Sequence, residues 1–163
     1  PTTSSAASDV YKRQPIAANQ YTKNARYDLG APGSGPLADM AVEDFMQTAA
    51  DITITQPAIQ GTNAPNITRN QSFRWSAGSA DWILLYMVML DATQTNIEEG
   101  IVCVLSDDGA FDLSSSEFSA WPTNRQVNIL FTPVREETAI LPHNNAESRV
   151  AGMYQMFGAG FSR

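Results

Sequence analysis

The chain is predicted to be all-β, a two-sheet antiparallel sandwich with a loosely structured amino-terminal segment ahead of it. Three observations predict this. Short apolar runs rich in β-branched and aromatic residues recur, each bounded by Gly, Pro, Asn or Ser. No long stretch carries a strong 3.6-residue period, and from Asp51 onward the runs recur at sandwich spacing.

The first clear run is Asp51 to Gln56 (DITITQ), with Ile52 and Ile54 on one face and Thr53 and Thr55 on the other, ended by Pro57. After a loop rich in Gly, Asn and Pro comes SFRWSAG, in which Phe73 and Trp75 alternate with Ser72, Arg74 and Ser76 and Gly78 closes the strand. Asp81 to Leu90 is a nearly continuous apolar run, as expected at the centre of a sheet. Glu99 to Ser106 follows, with Ile101, Cys103 and Leu105 sharing a face. Asp107-Asp108-Gly109 then reads as a tight turn into Ala110 to Leu113, predicting a hairpin.

Ser114 to Trp121 reads as a loop or one helical turn, with Phe118 and Trp121 facing the core. Gln126 to Thr132 alternates again, with Val127, Ile129 and Phe131 inward and Pro133 expected to break the strand. Glu136 to Asn145 reads as a polar loop, and Ser148 to Phe161 as a last, glycine-loosened strand or pair. Ahead of Asp51 the signals weaken. Ala25 to Leu29 fits one strand and residues 31–36 fit a turn or linker. Residues 36–50 read two ways: Leu37, Ala41, Phe45 and Ala49, at i, i+4 steps behind Pro36, favour a helix, with extended structure as the alternative.

A length of 163 residues suits one medium domain with its own core. Charged residues make up only 17% of the chain and leave a net charge of −7. That balance argues against nucleic acid and anionic membrane as partners, because both select clustered Lys and Arg. Low charge with abundant hydroxyl and amide side chains leans toward an exported protein, placed outside the cell or on its surface. Cys103 is the only cysteine, so no intrachain disulfide forms. The longest apolar run, Trp82 to Leu90, is about half the roughly 20 residues of a membrane helix.

The stretches ITITQPA, NQSFRWSAG, IVCVLSDDGAFDL and QVNILF carry a resemblance, through Pro57, Trp75, Gly78, Cys103, Asp108, Gly109 and Phe111. Together they resemble a β-sandwich domain of uncharacterised secreted and lipoprotein-like bacterial proteins. That resemblance implies an immunoglobulin-like or fibronectin III-like sandwich, exported and without enzymatic activity. Ser114 stands where the family often has Pro. A second resemblance concerns Ser4 to Gln14, SSAASDVYKRQ, which is similar to the in-frame translation of a widely used transposase sequencing adapter. Residues 1–14 are therefore expected to pack against nothing specific, 15–50 to be a linker or the remnant of a preceding domain, and 51–163 to be the sandwich.

Asp107, Asp108 and Asp112 around Gly109 have the look of a calcium loop, since hard cations take several carboxylate oxygens from a tight turn. The plainer reading, a solvated turn whose Asp side chains bond their own backbone, is preferred. His143, the sole histidine, would have to serve as the base of any Ser-His-Asp arrangement, but no G-x-S-x-G elbow presents a serine to it. Trp75, Trp82, Trp121, Tyr86 and Phe111 could stack sugar rings. Trp82, beside Asp81, is the best candidate for an aromatic in contact with ligand, whereas Trp75 and Phe73 read as core. Cys103 reads as a small buried hydrophobe. Asn66-Ile67-Thr68 and Asn70-Gln71-Ser72 match the N-glycosylation pattern.

The function expected is that of a non-enzymatic exported module, structural or adhesive, in a cell-surface protein or filament. Its expected partner is another protein or a second copy, met through an edge strand. The alternative is a carbohydrate-binding module, with a glycan as partner.

Overall fold

A computed structural model describes residues 22–34, 39–140 and 147–163. Among these residues the chain is all-β, with no helix. The adapter-like stretch and His143 lie outside the described residues.

Eleven strands run in order among them: β1 (Arg26–Ala31), β2 (Met40–Gln47), β3 (Ile54–Gln56), β4 (Asn66–Ile67), β5 (Ser72–Trp75), β6 (Trp82–Leu90), β7 (Ile97–Leu105), β8 (Ala110–Asp112), β9 (Gln126–Ile140), β10 (Glu147–Met153) and β11 (Met156–Ser162). A six-stranded sheet has the order β4-β11-β9-β6-β7, with β10 beside β9, and curls into half a barrel. A three-stranded sheet has the order β3-β5-β8, and β1 and β2 form a separate hairpin. All pairings are antiparallel except β4 with β11.

The core lies between the six- and three-stranded sheets. Ile54, Phe73 and Trp75 come from the smaller sheet, and Ile83, Leu85, Met87, Val127, Ile129 and Phe131 from the larger. Those residues occupy alternate positions of their strands, so the period-2 pattern legible in the sequence is the one that fills the core. Phe118 closes one end, fully buried, with its ring against Trp121 at 4.7 Å between centroids. A single turn, Glu117 N–H to Ser114 C=O at 3.1 Å, positions it.

Three expectations are corrected. The turn at residues 107–109 does not close a hairpin: β7 pairs with β6 and β8 pairs with β5, so the turn carries the chain from one sheet to the other. Gly109, at φ 88°, makes the reversal, and its C=O accepts the Trp75 N–H at 3.0 Å, which draws the chain onto β5. Nor does Pro133 end its strand. β9 runs on to Ile140 because β10 and β11 hold one register against it, with Met153 opposite Val134 and Met156 opposite Phe131. Their only interruption, at Tyr154 and Gln155, falls beside Pro133, where the missing N–H disturbs no continuous ladder.

The third correction concerns residues 40–47, where the favoured helix gives way to the extended alternative, a strand. Pairing with β1 and seating against the β9–β10 arm override the i, i+4 spacing of Phe45 and Ala49. Met46, Thr48 and Ala49 are buried by that seating. Tyr154 ties the junction down, its hydroxyl donating to Ala50 C=O at 2.8 Å and accepting from Ile52 N–H at 3.0 Å.

β11 turns Gly158 and Gly160 toward the 57–67 loop. A Cβ at Gly158 would sit 2.6 Å from the Ile59 carbonyl oxygen, and one at Gly160 2.5 Å from that of Pro65. The glycines that loosen this strand on paper are seats for Ile59 and Ile67, both buried.

Candidate functional site

The three aspartates of the calcium-like stretch have separate partners. Asp107 turns inward and staples the end of β7 to the loop after β5. Its Oδ1 accepts from Trp75 Nε1 at 2.9 Å, and its Oδ2 accepts from Gly78 N–H at 2.9 Å and Ala80 N–H at 3.1 Å. Asp108 Oδ1 accepts from Ala110 N–H at 3.1 Å, the self-bonded turn of the plainer reading. Asp112 pairs with Arg74 at 2.8 Å, and hydrogen bonds from Ser72 and Arg74 hold its carboxyl below the usual value. Among the described residues no cluster of three metal-ligating side chains forms.

Asp81 and Trp82 lie at the start of β6. Asp81 Oδ2 accepts from Glu136 N–H at 2.7 Å and faces Arg135 Nε at 3.8 Å. Arg135 in turn donates to Ser79 C=O at 2.6 Å, so Asp81 is part of a brace that holds β9 where it leaves β6. Trp82 is half-buried and points away from the core, since Ile83 is the inward residue. The other members of the aromatic set divide. Trp75 is buried against Phe131 at 5.1 Å, Phe111 stacks on Phe73 at 6.3 Å, and Trp121 covers Phe118. Only Tyr86 shares the outward face of β6 with Trp82.

That outward face is the most distinctive surface of the described residues. Register places Val102 on β7 opposite Tyr86, Tyr86 opposite Leu130 on β9, and Leu130 opposite Phe157 on β11. A neighbouring row sets Val104 opposite Leu84, and Leu84 opposite Thr132. Val102, Val104 and Phe157 are 63%, 70% and 62% exposed, well beyond what scattered surface residues need to explain. Tyr86 and Val88 lie over Gly100, where an added Cβ would meet Val88 Cγ1 at 3.2 Å. From Trp82 to Val88, Gly100 to Val104, Asn128 to Val134 and Phe157 to Phe161, the outward positions carry no charge at all.

One free edge of the sheet is β7, which among the described residues pairs only with β6. Acidic residues flank it at both ends, Glu98 and Glu99 at one and Asp107 and Asp108 at the other. Glu99 accepts from Ser119 N–H at 2.7 Å and Ala120 N–H at 3.3 Å, and these bonds hold its carboxyl below the usual value. Cys103, on the inward side of β7, is half-buried, and burial followed by the charge of Glu117 pushes its thiol up. It is a packing residue with little thiolate character.

Two features gave no signal to sequence reasoning. The β6–β7 turn is built on Asp91, whose Oδ1 accepts from Thr93 N–H, Thr93 Oγ1 and Thr95 N–H at 3.1, 2.8 and 3.0 Å, while Oδ2 accepts from Asn96 Nδ2 at 2.8 Å. Bonds from Asn96 and Thr93 lead in pulling its carboxyl far below the usual value. The other is a groove of about 210 Å³ between the β1–β2 hairpin and β10, bordered by Leu29, Phe45 and Val150. Compared with protein families, curated proteins and solved structures, the chain matches none.

Proposed function

We propose that the chain is a non-enzymatic, exported β-module with a structural or adhesive role in a cell-surface protein or filament, and that it works through the outward face of its six-stranded sheet. The observation that carries this reading is the uncharged apolar layer from Val102 to Phe157. A contiguous exposed apolar layer of this kind marks a contact surface. The acidic candidates support the same reading from the other side, because Asp81, Asp107 and Asp112 each spend their oxygens on bracing the fold. Two sheets sharing one core support the finer fold reading, an immunoglobulin-like or fibronectin III-like sandwich, from which the parallel β4–β11 pair is a departure. Export rests on the low charge and the abundance of Ser, Thr, Asn and Gln.

One observation favours carbohydrate binding as a second reading. Trp82 and Tyr86 present two aromatic rings on the same outward face, with Phe157 two strands away. A glycan array separates the two. The structural reading predicts background signal for the wild-type chain; binding that disappears in Trp82→Ala and persists in Val102→Lys would replace it with the sugar reading.

A further inference from the structure

We infer that β7 is a strand-addition site, taking an extended segment of another protein in which an uncharged run is flanked at both ends by basic residues. The inference goes beyond the outward-face reading, because it uses the edge of the sheet and not its surface. Of the two strands that end the sheet path, β4 has two residues and β7 has nine. From Glu99 to Leu105, β7 follows β6 without a bulge, and no backbone bond from another described element reaches Gly100 to Leu105. The N–H and C=O groups on its outer side are open to a partner strand.

Natural sheets blunt such an edge with a charge, a Pro or a bulge. Gly100 to Leu105 (GIVCVL) has none of these. Its inward side chains, Ile101, Cys103 and Leu105, are only half-buried, so the core is left thinly covered along this edge. An added strand extends the ladder and lays its own inward side chains beside those three.

Charge selects the occupant. Glu99 stands at one end of the uncharged stretch 100–106 and Asp107 and Asp108 at the other, and the charge of Glu117 reaches Cys103 between them. Asp107 and Asp108 accept from neutral N–H groups and keep their negative charge. Glu99 likewise accepts from the N–H groups of Ser119 and Ala120, with Arg69 acting on it from a distance, whereas Glu98 is paired with Arg125 at 3.2 Å. A basic residue at each end of the incoming run therefore meets opposite charge, and an acidic one meets like charge. A second copy of β7 supplies no basic residue. Centred on Ile101, it sets Glu98 against Val104 and Glu99 against Cys103 and gains no ion pair; centred on Cys103, it sets Glu98 against Asp108 and Glu99 against Asp107.

The test is fluorescence anisotropy of the full chain at low salt with a synthetic peptide of alternating valine and threonine between two lysines, matched in length to the stretch from Glu99 to Asp107. Three further peptides accompany it: one with glutamates in place of the lysines, and two N-methylated at alternate residues, in opposite phases. Saturable binding of the lysine peptide is expected, with the glutamate peptide weaker on the order of tenfold. One N-methyl phase should abolish binding and the other keep it, because only alternate N–H groups of an added strand face β7. Phe157→Lys, 62% exposed and three strands away, should leave binding unchanged. No binding of the lysine peptide, equal binding of the glutamate peptide, or equal binding of the two N-methyl phases would each overturn the inference and leave the outward-face reading in place. Binding lost in Phe157→Lys would overturn it by placing the peptide on the outward face. Protection of the β7 amides from hydrogen exchange as the chain alone is concentrated would overturn it in favour of a second copy.

Discussion

At the scale of single residues, Asp107 shows how the same side chain can be read two ways. A carboxylate beside Asp-Gly suggests a cation loop or a solvated turn, and neither reading anticipates three N–H donors converging from Trp75, Gly78 and Ala80. Those donors lie about thirty residues away in the chain, so no local pattern could reveal them. Asp107→Ala is expected to lower the unfolding free energy by about 2 kcal/mol, since charge-assisted bonds are lost and the Trp75 indole N–H is left without its acceptor. Asp108→Ala, with one exposed bond, should stay within about 0.5 kcal/mol of wild type in the same urea titration. Equal effects of the two substitutions would contradict the staple.

Strands were legible in proportion to how much of their order is local. β5 and the first half of β9 follow from alternation, because period 2 and the core face coincide there, and β6 follows from its continuous apolar run. β2 was not legible, since its strand state depends on β1 and on the arm formed by β9 and β10. The second half of β9 was hidden behind Pro133, whose tolerance depends on a partner strand that breaks at the same level. The glycines of β11 carried a signal that was present but misread: spacing of two along a strand marks positions where another backbone comes close. Gly160→Ala, forced against the Pro65 carbonyl and Ile67, is expected to cost about 2–3 kcal/mol. Gly152→Ala meets only the flexible thioether of Met46, at 2.7 Å, and should cost less; the reverse order of thermal midpoints would contradict this packing.

For the whole molecule, the charge distribution governs both stability and association. Asp91, Glu99 and Asp112 have carboxyls held below their ordinary values of 3.8, 4.5 and 3.8 by hydrogen bonds in the folded state. A depressed carboxyl contributes stability that is present above its unfolded value and is lost as pH falls through its folded one. The thermal midpoint should therefore be flat from about pH 8 to 5 and decline below about pH 4. Asp91→Asn should show a shallower acid decline than wild type, and an unchanged slope would count against the Asp91 turn as a contributor.

The outward face was only half legible: the continuous apolar run of β6 is plain in the sequence, but Val102, Leu130 and Phe157 join it only through register. Covalent footprinting of solvent-exposed side chains, read residue by residue in dilute and concentrated solutions of the wild-type chain, tests the role of this face most directly. The account predicts that Val102, Val104, Leu130 and Phe157 lose labelling together as concentration rises, while Ile140, exposed at the far end of the β9–β10 arm, keeps its own. Labelling of those four that stays constant across the range, or protection confined to β7, would contradict it.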